Sequence, residues 1–405
     1  MVKSPDGFTG LRFSGNSPVV SPTGRFQWLG GLFLFTLSLS LFAFQDSDGH
    51  FARGIELQNQ GKIEQAIEQY ELSIKSQPRF PVLANLGAAY ARLGRHTEAI
   101  DRYDQALKLA PGQPLVLLNL GLAYYKLGNL QKAISQFDQV LKSDASNQQA
   151  RTLLADCFFQ MGQPKRVIEL LEPLSEKNPE ELSIAYLLGT AYIRDGQVDK
   201  GQTLVDRILR KGDSAEAHLM LGTARAEAYD NKGAISEFEK TIELNPNLPM
   251  AHSSLGKALL QSGDIERARS EFEAELKINP NDFAANLQTG FLRRRDNQLE
   301  EALTFLRKAR GLRPDDIGAA FEISLIHLQK GELDDAQRML EEIAERTPDF
   351  IDVHVNLARV YYRKKMKAQG DHQQEIVERL RVEQQEREPG SRKDPPSRQP
   401  VDTRP

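Results

Sequence analysis

The histidines and the single cysteine are the side chains of this sequence best suited to metal binding or nucleophilic catalysis. Four of the seven histidines recur at the same position of a repeated segment, namely His50, His218, His252 and His354. A zinc site needs ligands that converge on one point, so this regular spacing favours a packing role instead. The sequence contains no CxxC, HExxH, GxSxG or phosphate-loop Gly-Lys motif. We therefore predict no metal, no cofactor and no enzymatic activity.

Cys157 stands beside two phenylalanines in a helical pattern. A single cysteine forms no intramolecular disulfide, and we predict that this one is a small buried hydrophobic residue. The 52 basic and 56 acidic residues give a net charge of −4, which offers no electrostatic case for binding nucleic acid.

The elements that position these residues repeat along the chain. Residues 84–111 and 118–145 are two versions of one segment, offset by 34 positions. A small residue marks each repeat at steps of 33 or 34. It occurs at Gly54, Gly87, Gly121, Ala155, Gly189, Gly222, Gly256, Gly290, Ser324 and Ala358. A second small position follows 12 residues later, as in Ala66, Ala99 and Ala133. A period in this range predicts a solenoid whose function lies on its surface.

Each repeat has the pattern of two helices joined by a turn. In the third repeat Leu117, Leu120, Gly121 and Tyr124 lie on one face of a helix, and Gly128 ends it. A second amphipathic helix follows, and in most repeats a proline closes the segment. The small residues should let the two helices approach closely.

These positions resemble the tetratricopeptide repeat (TPR) family over residues 47–350. The resemblance implies an all-α, right-handed α-solenoid of stacked helix-turn-helix repeats. It also implies that the first helix of each repeat lines a concave groove that holds peptides, with no catalytic centre.

The resemblance also indicates which positions face the groove: three before, one after and four after the small residue. This stripe is apolar and aromatic in repeats three to five and again in repeats eight and nine, where Arg294, Phe321, Leu325 and Leu328 fall on it. Aromatic residues with arginine are typical of binding hot spots. We predict partner contacts at Leu118, Leu122, Tyr125, Lys126, Phe159, Tyr186, Ile193 and Arg194. The alternative explanation is that neighbouring helices partly cover these apolar residues.

The remaining segments complete the predicted domain organisation. Residues 1–27 are rich in Gly, Ser and Pro and indicate disorder. The uncharged run 28–44 follows Arg25 and precedes Asp46 and Asp48, which predicts a signal peptide or membrane anchor with the N-terminus inside and the repeats outside the cytoplasm. An apolar helix packed on the first repeat is the alternative. We further predict nine repeats over 47–350, a partial tenth with a capping helix over 351–387, and a disordered tail over 388–405.

The sequence thus favours an exported, non-catalytic scaffold that binds a peptide or protein in its groove, within a cell-envelope assembly. Two alternatives remain at this point. One is a regulatory or substrate-recruiting subunit of an enzyme complex, and the other is a self-associating structural array.

Overall fold

A computed structural model describes residues 34–210 and 212–387, and the repeat divides these residues into pairs of helices. All regular structure in this part of the chain is helical. The described residues form two compact units, which divide between Leu248 and Pro249. The all-α fold of stacked helix-turn-helix repeats is confirmed within both.

The N-terminal unit holds repeats 1–6, and odd-numbered helices are the first of each pair. Its helices are α1 (Leu34–Asn59), α2 (Ile63–Ser76), α3 (Phe80–Arg92), α4 (His96–Leu109), α5 (Pro114–Lys126), α6 (Leu130–Ser143), α7 (Gln148–Gln160), α8 (Pro164–Lys177), α9 (Leu182–Arg194), α10 (Val198–Leu209), α11 (Ala215–Glu227) and α12 (Asn231–Leu244).

The C-terminal unit holds repeats 7–10. Its helices are α13 (Ala251–Ser262), α14 (Ile265–Ile278), α15 (Phe283–Arg295), α16 (Leu299–Leu312), α17 (Ile317–Lys330), α18 (Leu333–Arg346), α19 (Ile351–Arg363) and α20 (Lys367–Arg387). The pair α19–α20 occupies the stretch for which a partial repeat and capping helix are predicted.

In repeats 3 and 7 the glycine at the first small position lets the second helix place a phenylalanine ring against the backbone of the first helix. A Cβ added at Gly121 would lie 2.5 Å from a ring carbon of Phe137, and one at Gly256 would lie 2.7 Å from the ring of Phe272. Both rings are fully buried. Glycine is therefore required by close packing at these positions, as the sequence predicted.

The segments predicted to be disordered, 1–27 and 388–405, lie outside the described residues, as do residues 28–33 of the apolar run. Residues 34–44 belong to α1, which continues into the first repeat. Within the described ranges, no helix combines the length and apolar character needed to cross a membrane.

The turn between the paired helices needs a left-handed residue, and one repeat supplies it with an aromatic side chain. Glycines hold this position with φ of 71–89°, among them Gly61, Gly128 and Gly263. In repeat 6 it is Tyr229, with φ 60° and a side chain that is 90% exposed. The left-handed conformation is unfavourable for a residue with a Cβ.

Replacing Tyr229 by glycine should therefore raise the free energy of unfolding by about 1 kcal/mol, because the gain in native backbone energy exceeds the entropy glycine adds to the unfolded chain. Urea unfolding measures it. Tyr229→Ala is the matched control, since it removes the exposed ring and keeps the Cβ, and it should change little. Equal gains from both variants would contradict the backbone explanation.

Candidate functional site

The residues predicted for partner contact in repeats 3–5 divide into a buried and an accessible set. Leu118, Phe159 and Ile193 are buried among helices of the N-terminal unit, so their side chains pack inside the fold. Cover by neighbouring helices thus accounts for part of the apolar stripe. Leu122, Tyr125, Tyr186 and Arg194 are half-buried, and Lys126 is exposed.

Tyr125 joins the first helices of two successive repeats through its hydroxyl group. The hydroxyl donates a hydrogen bond to Asp156 Oδ2 and accepts one from Gln160 Nε2, so that α5 and α7 are linked. Burial raises the pKa of the Asp156 carboxyl, and the hydrogen bonds from Tyr125 and Gln160 oppose that rise. The hydroxyl group therefore has an internal structural role besides any contact with a partner.

Removing this hydroxyl with Tyr125→Phe should lower the free energy of unfolding by about 1–3 kcal/mol, since the buried Asp156 carboxyl group loses a hydrogen-bond partner. Denaturant unfolding is the measurement. Tyr124→Phe on the same helix is the control and should be nearly neutral, because burial and the Asp104 charge act on its hydroxyl in the described structure and no hydrogen bond does. If Tyr125→Phe leaves the free energy of unfolding unchanged, the hydroxyl group does not stabilise the fold, and its role would be contact with a partner alone.

Phe159 and Arg194 form a second link along the same stripe. The Arg194 guanidinium lies over the Phe159 ring, 4.7 Å from its centroid. The aromatic and arginine combination that suggested a hot spot is here an intramolecular cation–π contact between α7 and α9. The partner-contact prediction in these repeats stays a prediction, and its accessible part is Leu122, Tyr125, Lys126, Tyr186 and Arg194.

The repeated histidines bond to residues of the second helix of their own repeat. His218 Nδ1 lies 2.6 Å from Glu237 Oε2, and His252 Nδ1 lies 2.6 Å from Glu271 Oε2. His50 and His354 pair in the same way with glutamines. These contacts give the histidines the packing role predicted from their spacing.

Cys157 is fully buried, and burial raises its thiol pKa. A thiol in this state is a poor nucleophile. The side chain thus contributes to the core of the N-terminal unit, as its apolar neighbours predicted.

One trio of side chains in the described ranges has the spacing of metal ligands: His327, Glu332 and Asp335. Glu332 is already bonded to His327 Nδ1 at 2.5 Å and to Lys330 Nζ at 3.1 Å. The ammonium group supplies the positive charge that a cation would bring, so this cluster is better explained as an ion-pair network at the end of α17.

A cavity of about 680 Å³ opens in the C-terminal unit on the face of its first helices α15, α17 and α19. Its floor consists of Phe321, Leu325 and Leu328, which the sequence placed on the groove stripe of repeat 9. Polar residues surround this floor: Arg294, Gln329, Asp352, Asn356, Arg359, Tyr362 and Arg363. The structure thus brings together the repeat 9 residues of the predicted stripe and an arginine-rich rim.

Sequence reasoning missed the part of this rim contributed by α19. Arg359, Tyr362 and Arg363 follow the small residue Ala358 by one, four and five positions. The stripe offsets of one and four give Leu122 and Tyr125 in repeat 3, and Lys126, five positions after Gly121, lies beside that stripe. Extending the stripe into repeat 10 would have found these residues.

The repeat geometry agrees with family models that match most of the described chain. Models described as tetratricopeptide repeat match residues 47–80, 79–146, 128–188, 158–223, 254–317 and 294–360. The chain belongs to the tetratricopeptide repeat family. The TPR matches cover repeats in both compact units.

Solved structures that match the chain include two of monomeric IFIT1 mutants, one with m7Gppp-AAAA and one with Gppp-AAAA. Each is 15% identical to this chain, covers 82% of it and 90% of its own length, and has a TM-score of 0.43. The comparison with curated proteins found no match.

Proposed function

We propose that this TPR protein is a non-catalytic scaffold that binds a peptide segment of a partner protein on the first-helix face of its C-terminal unit. The observation that supports this best is the cavity on α15, α17 and α19, whose apolar floor is rimmed by arginines and Tyr362. An accessible apolar surface costs free energy unless something covers it. Tyrosine and arginine are the residues that most often supply binding energy at such a surface.

Selection of peptides by the full-length protein tests this function. A phage-displayed library of random dodecapeptides would be panned against the immobilised protein and against Leu325→Glu, which places a charge in the cavity floor. Val382→Glu is the matched control, since Val382 is exposed on α20 and lies outside the cavity. We expect peptides that bind the wild-type and Val382→Glu proteins and lose binding to Leu325→Glu.

Two outcomes would oppose the proposed function. One is the absence of any selected peptide family, and the other is selection that Leu325→Glu leaves unchanged. Concentration-dependent growth in particle size that Leu325→Glu abolishes, with no peptide selected, would instead favour a self-associating array.

The proposal includes export of the repeats to a cell-envelope compartment, with residues 28–44 as signal or anchor. Its support is the uncharged run between Arg25 and the acidic residues Asp46 and Asp48. A reporter enzyme that is active only after export, fused behind residue 60, should be active, and deletion of 28–44 should abolish that activity. A fusion at the same junction that functions only inside the cytoplasm would contradict export.

A further inference from the structure

Two arginines at the rim of the C-terminal cavity have no acidic partner in the described part of the chain. Arg359 Nη1 donates a hydrogen bond to Asn356 Oδ1 at 3.2 Å. Arg363 Nη1 donates one to the Leu328 carbonyl at 2.7 Å. Both acceptors are neutral, so they orient the guanidinium groups and leave their positive charges uncompensated.

The third arginine of the cavity shows the opposite arrangement. Arg294 Nε lies 2.5 Å from Glu322 Oε2, and both side chains are largely buried. This internal ion pair neutralises Arg294. Asp352 is the one acidic residue among those lining the cavity, so the rim as a whole keeps an excess of positive charge.

The position of Arg359 and Arg363 on α19 fixes how their charges are presented. They are four residues apart, so they lie on one face of the helix with Cβ atoms about 6 Å apart. Two guanidinium groups one turn apart can each bind a carboxylate. Two acidic side chains of a peptide supply both carboxylates, whereas a single chain terminus supplies one.

The floor beside these arginines is apolar. Phe321 and Leu325 are half-buried, Leu328 is nearly covered, and Phe321 is held by the Phe350 ring at 5.0 Å between centroids. An apolar floor accepts a bulky aliphatic or aromatic side chain. The floor itself offers no hydrogen-bond donor, so it favours an apolar side chain over a phosphate group.

We infer that the C-terminal cavity binds an acidic peptide segment, in which a bulky apolar side chain enters the cavity and two neighbouring acidic side chains pair with Arg359 and Arg363. This inference rests on the proposed function and names its ligand. Guanidinium–carboxylate hydrogen bonds are short, charge-assisted and directional, so they add orientation to the apolar contact.

Two synthetic peptide libraries test the inference with full-length protein. Both consist of N-acetylated, C-amidated decapeptides with random flanks, one with the central sequence Leu-Glu-Glu and the other with Leu-Gln-Gln. Retention on immobilised protein is quantified by mass spectrometry. We expect at least about tenfold greater retention of the acidic library, since charge-assisted bonds are the stronger ones.

The variants assign this preference to the two arginines. Arg359→Gln and Arg363→Gln should each weaken binding of the best Leu-Glu-Glu peptide about tenfold and leave Leu-Gln-Gln peptides unaffected. Arg310→Gln is the matched control, because Arg310 is an exposed arginine of α16 outside the cavity. All three substitutions are at exposed positions, and melting curves confirm that each variant is folded.

Four results would overturn the inference. Equal retention of both libraries is one, and a preference that persists in both arginine variants is another. If the same peptides bind only when they are made with a free C-terminal carboxylate instead of the amide, the arginines bind a chain terminus. Arginine-dependent binding of poly(U) would assign them to a nucleic acid. If peptides selected by panning depend on Leu325 and ignore both arginines, the proposed function stands and this ligand assignment fails.

Discussion

Replacing Phe272 by alanine should lower the free energy of unfolding by about 3–5 kcal/mol. Its ring is fully buried in the C-terminal unit and lies against the backbone of Gly256, where a Cβ would be only 2.7 Å from the ring. The variant loses the transfer energy of an aromatic side chain and leaves a cavity between α13 and α14. Urea unfolding monitored by circular dichroism gives the value.

Gly256, the other residue of this contact, provides the matched test. Gly256→Ala alone should cost about 1–3 kcal/mol, because the added methyl group displaces the ring. In the Phe272→Ala background the same change should cost almost nothing, since the ring is absent and alanine favours the helix. The two substitutions should therefore be coupled. Additive losses would show that glycine is required there for another reason.

The contact between this glycine and this ring explains why the fold could be predicted from the sequence. The recurrence of Gly121 and Gly256 with a large buried residue 16 positions later, Phe137 and Phe272, is visible in the sequence and reports a contact inside each of these two repeats. Contacts inside a repeat depend on local spacing, which a period of 33 or 34 residues preserves. The helix pairs follow from this regularity.

The candidate site was less predictable, because it depends on which stripe positions are covered by neighbouring repeats. Phe159 and Ile193 occupy the same stripe position as Tyr125, yet both are buried inside the N-terminal unit, whereas Tyr125 is half-buried. The repeat period predicts on which face of its own helix a side chain lies. It contains no information on whether Arg194 stacks on Phe159 or stands free for a partner, which the packed structure shows.

Glu275 is a second feature that the period alone could not explain. It lies 19 residues after the small position Gly256, and the corresponding residues include Ala106, Val140 and Ile343. A carboxyl group thus occupies a core position, with 0% of its surface exposed. It accepts hydrogen bonds from the backbone N–H groups of Met250 at 2.9 Å and Ser253 at 3.3 Å.

The buried Glu275 carboxyl group is explained by its contact with the N-terminus of α13. Met250 precedes the helix in the left-handed conformation with φ 72° and supplies no side-chain cap. The first backbone N–H groups of a helix need acceptors, and the buried Glu275 side chain provides one from the neighbouring helix α14. Burial raises the Glu275 pKa to about 7, and the nearby Asp282 carboxylate adds to the rise, while the two backbone hydrogen bonds and His252 oppose it.

This pKa predicts that the contribution of Glu275 to the free energy of unfolding falls as pH rises from about 4.5 to about 7. In that window the folded state holds a proton on Glu275 that the unfolded state has released, so unfolding becomes easier with increasing pH. The stabilisation is complete below pH 4.5, the ordinary value, and is lost as pH passes the folded value of about 7. The difference between the two limits is about 3 kcal/mol.

Glu275→Gln should remove this dependence, because an amide stays neutral and its oxygen still accepts one backbone hydrogen bond. Relative to wild type, the variant should gain about 3 kcal/mol in free energy of unfolding between pH 4.5 and pH 8, as measured by urea unfolding across that range. Glu266→Gln is the control, since Glu266 is exposed on the same helix, and its difference from wild type should be flat. Parallel pH profiles for Glu275→Gln and wild type would mean that Glu275 is ionised in the folded protein throughout this range, with the N-terminus of α13 stabilising the buried charge.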